Sequence, residues 1–145
     1  MKRERTLVSF DWAIKHILRD KANFDVLEGF LSALLKQDIH IKSVLESEGN
    51  RRFEEDKYNR VDLVVENDRG EIMVVEIQHD RETYYLERLL YGSSKLVVDN
   101  IALSESYSQI KKIISISILY FAMGKSGTDY VYHGKTEFYG LNTHQ

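Results

Sequence analysis

Apolar and polar positions alternate with a period of two in two runs near the middle of the chain, Val61-Leu63-Val65 and Met73-Val75-Ile77. Asn67-Asp68-Arg69-Gly70 separates them, so the pattern predicts two antiparallel strands joined by a tight turn. With Asp68-Arg69-Gly70 as the loop and Gly70 in the left-handed region, Asn67 faces Glu71 and the register follows. One face pairs Val61 with Ile77, Leu63 with Val75 and Val65 with Met73, an apolar surface ready for a helix. The other face sets Asp62 opposite Glu76, beside Val64, Glu66, Ile72, Val74 and Gln78.

On either side of the hairpin the period changes to 3.6. Residues 10–19 read as a short amphipathic helix capped by Asp11, with Trp12 as a packing anchor. Asn23 caps a longer one, Phe24 to Lys36, with Phe24, Leu27, Phe30, Leu31, Leu34 and Leu35 apolar and Glu28 interrupting the stripe. Ile39 to Glu46 alternates weakly and is the expected first strand. A helix from Asp80 to Val98 carries a stripe of Tyr85, Leu86, Leu89, Ser93, Leu96 and Val97, and Gly92 permits close packing on the sheet. Lys112 to Phe121 reads as a central strand, and Tyr130 to Tyr139 as an edge hairpin turning at His133-Gly134. A helix between the hairpin and the later strand implies a right-handed crossover. The expected fold is therefore an α/β domain of core order αβββαβ, a mixed sheet with helices on both sides.

At 145 residues the chain is expected to form one domain, residues 1–145, large enough to bury a core without staples. The absence of cysteine excludes disulfides and thiolate metal sites. No apolar run reaches membrane-spanning length and the start is too polar for a signal peptide, so no membrane partner is expected and a cytoplasmic location is the default. The net charge of −3 means that any contact with DNA depends on a local basic patch and not on the global field. Nothing in the sequence decides for or against a homo-oligomer.

The candidate chemistry lies on the polar face of the hairpin. Two carboxylates on opposed strands, with stems about 5 Å apart, repel unless a positive group lies between them. A divalent cation is the simplest such group. Asp62, Glu76 and the main-chain carbonyl of Ile77 offer hard oxygen ligands of the kind that suit Mg²⁺ or Mn²⁺. Gln78 projects from the same face as Glu76 and can orient water or phosphate, the logic of metal-assisted phosphodiester hydrolysis. On the later helix Arg88, Tyr91 and Lys95, with Arg81 and Tyr84 ahead of them, recur at spacings that can follow a nucleic-acid backbone. The plainer reading pairs Arg88 with an acid such as Glu87 or Glu76. Arg51, Arg52, Lys57 and Arg60 add positive charge before Asp62, interleaved with acids as on an ordinary solvated face.

An acid followed by Glu-x-Gln is by itself a common pattern of solvated strand residues. The wider text, DWAIKHIL, FDVLEGFLSALL, KYNRVDLVVEND, RGEIMVVEIQ, YYLERLLYGSSKLV and KKIISISILYF, resembles the PD-(D/E)xK nuclease superfamily in its transposase-like, recombination-promoting branch. The resemblance implies a restriction-endonuclease-like core and a Mg²⁺-dependent DNA endonuclease, with Asp62 as the first motif acid, Glu76 as the second and Gln78 where the superfamily usually has Lys. It also implies an accessory carboxylate at Glu28 and a phosphate-contacting role for Arg88. The missing lysine charge shifts water activation onto the metal, and Val61 stands where the motif name has Pro. Two other readings remain beside it: an inactive nuclease-fold module that binds nucleic acid or protein, and a structural or regulatory domain with no nucleic-acid partner.

Overall fold

The computed structural model describes residues 24–47, 62–123 and 129–143. The expected helix at 10–19, the polar stretch 48–56, the basic residues Arg51, Arg52, Lys57 and Arg60, and the pairing of Val61 lie outside the described residues. Helix α1 spans Phe24–Leu35 and buries Leu27 and Leu31 one turn apart. It stops at Lys36, which takes the left-handed conformation (φ 54°). The Ser32 hydroxyl then accepts from the Ile39 amide at 2.9 Å and turns the chain into the sheet.

Strands β1 (Ile41–Ser47), β2 (Leu63–Asn67) and β3 (Ile72–Gln78) form an antiparallel meander. Helix α2 (Tyr85–Asp99) and a 3₁₀ turn (Tyr107–Gln109) lead to β4 (Ile113–Leu119), which joins β3 in parallel. The sheet order is β1-β2-β3-β4, so the sheet is mixed and the chain order is αβββαβ, the expected α/β core. Leu63 faces Val75, Val64 faces Val74 and Val65 faces Met73, the register read from the alternation. Its anchor is the turn. Gly70 sits at φ 75°, the Asn67 side-chain oxygen accepts from the amides of Arg69 (3.1 Å) and Glu71 (2.8 Å), and Arg69 reaches back to Gln37 and the Asp38 carbonyl.

One sheet face buries Leu63, Val65, Met73, Val75, Ile77 and Ile116 against Leu27 and Leu31 of α1. The other face receives α2, with Leu89, Gly92, Ser93 and Leu96 over Val74, Glu76 and Ser115. Among the described residues no helix is long and apolar enough to cross a membrane.

Three expectations change. Helix α2 starts at Tyr85 and not Asp80, because the chain from Asp80 to Tyr84 is committed to polar contacts with Gln78 and Arg88. The strand at Ile113–Leu119 lies at the edge of the described sheet and not at its centre; Ile114, Ile116 and Ile118 make one face wholly apolar, whereas Ser115 and Ser117 interrupt the other. Residues 130–139 contain no strand. Tyr130 and Phe138 are almost wholly exposed, at 100% and 98%, so the aromatic alternation there has no sheet to pack on.

Candidate active site

Sheet geometry first brings the two acids together. The bonded pairs Asn67–Glu71 and Leu63–Val75 place the amides and carbonyls of odd-numbered β3 residues toward β2, and Asp62 is next in register to Glu76. The ladder of β2 ends at Leu63, and the Asp62 carboxylate takes over: its Oδ2 accepts from the Ile77 amide at 2.7 Å. The same alternation aims the Ile77 carbonyl toward Asp62. Asp62 is 6% exposed and Glu76 3%, and α2 covers Glu76.

Glu76 feels this crowding. Burial pushes its carboxyl above the usual carboxylate range; hydrogen bonding and charge from Arg88 oppose the shift, and the charges of Asp62 and Glu82 reinforce it. Arg88 Nη2 donates to Glu76 Oε1 at 2.5 Å and its Nε donates to Glu82 Oε2 at 2.7 Å. The guanidinium also lies over the Tyr85 ring, 5.1 Å from its centroid. Tyr85 in turn packs edge-on against Phe121. Burial raises its phenol pKa, opposed by the neighbouring Ser117 hydroxyl. Both hydroxyl oxygens are enclosed, and among the described residues neither makes a hydrogen bond of regular geometry.

The remaining candidates divide. Gln78 projects beside Glu76 and donates from Nε2 to the Asp80 carbonyl and to Glu82. Arg81, Tyr84 and Tyr91 are exposed and Lys95 is half-buried; Tyr84, Arg88, Tyr91 and Lys95 follow the three- and four-residue spacing of one helix face. Arg88 is the exception on that face: it turns inward to Glu76, with a side chain only 18% exposed. The expectation for Glu28 is corrected. Its Oε1 accepts from the Ile41 amide at 2.6 Å, and Ile41 faces Asn67 at the turn end of the sheet, about 17 Å of extended strand from Asp62. It is a strand-start cap, remote from the two acids.

Glu82, Tyr85 and Ser117 belong to the site and escaped sequence reasoning. Tyr85 was legible as a buried position but not as a neighbour of Glu76. Glu82 sits in a non-helical turn, where no periodicity points at Arg88.

The donor set fits a hard divalent cation. Two buried carboxylates and one carbonyl are all oxygen, and a cation would relieve the charge crowding on Glu76. Among the described residues no three His, Cys, Asp or Glu side chains converge, and the main-chain carbonyl of Ile77 offers the third oxygen. His79 stacks on Tyr120 with ring centroids 4.5 Å apart.

Comparison with curated proteins and with solved structures gave no match. A family model described as PD-(D/E)XK nuclease family transposase matches residues 8–144. With the αβββαβ core and the opposed acids at the end of its central hairpin, the chain belongs to the PD-(D/E)XK nuclease transposase family.

Proposed function

We propose that this protein is a Mg²⁺- or Mn²⁺-dependent DNA endonuclease of the transposase or recombination type. The observation that carries the reading is the Asp62 carboxylate seated on the Ile77 amide, beside a Glu76 whose charge is held in an unfavourable, buried place. Nucleases of this family generally use divalent metal ions, and a nuclease family implies DNA as substrate.

In this reading Asp62, Glu76 and the Ile77 carbonyl hold the ion, which when bound supplies an acidified water and positive charge against the phosphate. Hydrolysis forms one P–O bond to the water oxygen and breaks one ester P–O bond, and the departing sugar oxygen ends protonated. Gln78 is neutral, so it orients water or phosphate by hydrogen bonding and adds no charge. Tyr84, Tyr91, Arg81 and Lys95 flank the site and follow the phosphate backbone.

The test is nicking of supercoiled plasmid by purified protein. Cleavage is expected with Mg²⁺ or Mn²⁺, is abolished by chelator, and is lost in Asp62→Asn and Glu76→Gln, while Gln78→Ala loses less because both anionic ligands remain. Cleavage at the wild-type rate in Asp62→Asn would sink the proposal. A second reading, a nuclease-fold domain that binds without cleaving, draws on one observation: Arg88 already occupies Glu76. No cleavage together with retained DNA binding would favour it.

A further inference from the structure

The cation already at Glu76 is an arginine that other groups would keep in place if it let go. Arg88 meets Glu76 with Nη2, but its Nε is tied to Glu82 and its plane rests on Tyr85. The cleft that Val74, Glu76, Arg88 and Gly92 line encloses about 10 Å³, room for one water at most. A divalent ion held between Asp62 and Glu76 would add a second cation beside a carboxylate on which Arg88 already donates, and the two cations repel each other. The guanidinium therefore has to give way. It need not leave. Glu82 and the Tyr85 ring would keep the guanidinium at the mouth of the site while its Nη donors turn away from Glu76.

On the metal-dependent reading above, we propose that Arg88 is the resident counterion of Glu76, exchanged for the divalent ion on loading, and that its released Nη donors then take the phosphate of the substrate. A phosphate accepts a guanidinium fork well, so the substrate supplies the anion that Arg88 gives up when the metal takes Glu76. Metal and DNA binding are then coupled in the favourable direction, and each strengthens the other by the same factor. In the metal-free protein the same contact partly compensates Glu76 and keeps Arg88 from binding phosphate.

Calorimetric titration with Mn²⁺ tests the exchange without any activity measurement. Arg88→Met keeps the buried stem but has no charge to displace, and it should bind Mn²⁺ about tenfold more tightly than wild type. Arg88→Lys, which can hold Glu76 but cannot reach Glu82 with a second donor, should fall between them. Melting curves with and without Mn²⁺ follow the same order if the Met variant is too weakly folded for calorimetry, with the largest Mn²⁺-induced rise in the Met variant. Equal or weaker Mn²⁺ binding by Arg88→Met would overturn the exchange and make Arg88 a brace for Glu76. Mn²⁺ binding that survives Asp62→Asn would put the ion elsewhere and overturn it too. No Mn²⁺ binding by any variant would instead bring down the metal-dependent reading itself.

The phosphate half has its own readout. With Ca²⁺ present, Arg88→Met should reduce the salt slope of duplex binding by about one. Without the ion the slope should be unchanged. The same reduction without Ca²⁺ would show Arg88 on phosphate while Glu76 still holds it, which the exchange forbids.

Discussion

Glu66 and Glu76 sit on the same face of the sheet, at opposite ends of it, and both are buried, at 8% and 3% exposure. Each contacts basic groups, yet their acidities move in opposite directions. Glu66 accepts from Lys42 at 3.0 Å and Lys111 at 2.6 Å, and these hydrogen bonds hold its carboxyl below the usual range against a smaller burial cost. The Lys42 side chain is largely exposed and that of Lys111 is about one-third exposed, so water remains close. Glu76 has one guanidinium, shared with Glu82, and a second acid beside it; burial there outweighs pairing and the carboxyl rises. Pairing alone does not stabilise an acid. The turn end is finished as structure, with Glu71 likewise lowered by Lys112, whereas the other end keeps a charge that its surroundings only partly compensate.

The largest expected effect is at Arg88. Arg88→Ala removes the guanidinium from a buried acid and should cost about 2–4 kcal/mol at pH 8 in urea unfolding. The deficit should shrink as pH falls, because loss of the cation raises the folded pKa of Glu76 further and the folded state then binds the proton more tightly. A deficit unchanged down to pH 4 would locate the loss in packing on Tyr85.

Exchanging each acid for its amide sharpens the comparison. Glu66 has a lowered folded pKa, so its contribution is present above the unfolded value and is lost as pH falls through the folded one. Glu66→Gln should therefore be less stable at pH 7 by about 0.5–1 kcal/mol and equal to wild type in acid. Glu76 has a raised folded pKa, so its stabilising protonation is present below the unfolded value and is lost as pH rises through the folded one. Glu76→Gln in metal-free protein should be at least as stable as wild type at pH 7, with the gap closing in acid. If Glu76→Gln lost more than Glu66→Gln, the Arg88 pair would outweigh burial and the contrast would fail.

The smallest effect is expected at Tyr85→Phe. Its hydroxyl is enclosed without a regular hydrogen bond, so its removal should change stability by no more than about 0.5 kcal/mol in either direction in the same urea experiment. A loss well beyond that would mean that the Tyr85–Ser117 contact is a working hydrogen bond.

Much of this was legible along the chain. The alternation of Leu63-Val65 against Met73-Val75, with Gly70 in the turn, was enough to set the register, and the register alone puts Asp62 opposite Glu76. A period of two fixes the face on which each strand side chain lies, and the tight turn fixes which pairs meet. The stripe of Leu27 and Leu31 likewise marked the helix that covers the apolar face. The aromatic run at 130–139 misled because alternation reports a strand only where a sheet is available to receive it.

What only the tertiary structure decided is which of the acids open to Arg88 in sequence, Glu87 or Glu76, it meets, and that Glu82 joins them. Arg88 is twelve positions from Glu76 and six from Glu82, distances along the chain at which no local period applies. Only the seating of α2 across β3 brings them together, and only the turn at Asp80 to Tyr84 swings Glu82 back over the site. Glu28, on the buried stripe of its helix, pointed toward a site in sequence and capped a distant strand in space. Local periodicity depends on bonds between neighbours and can be read from residue order. Electrostatic environment depends on every element packed around a group, and it exists only once the chain has folded.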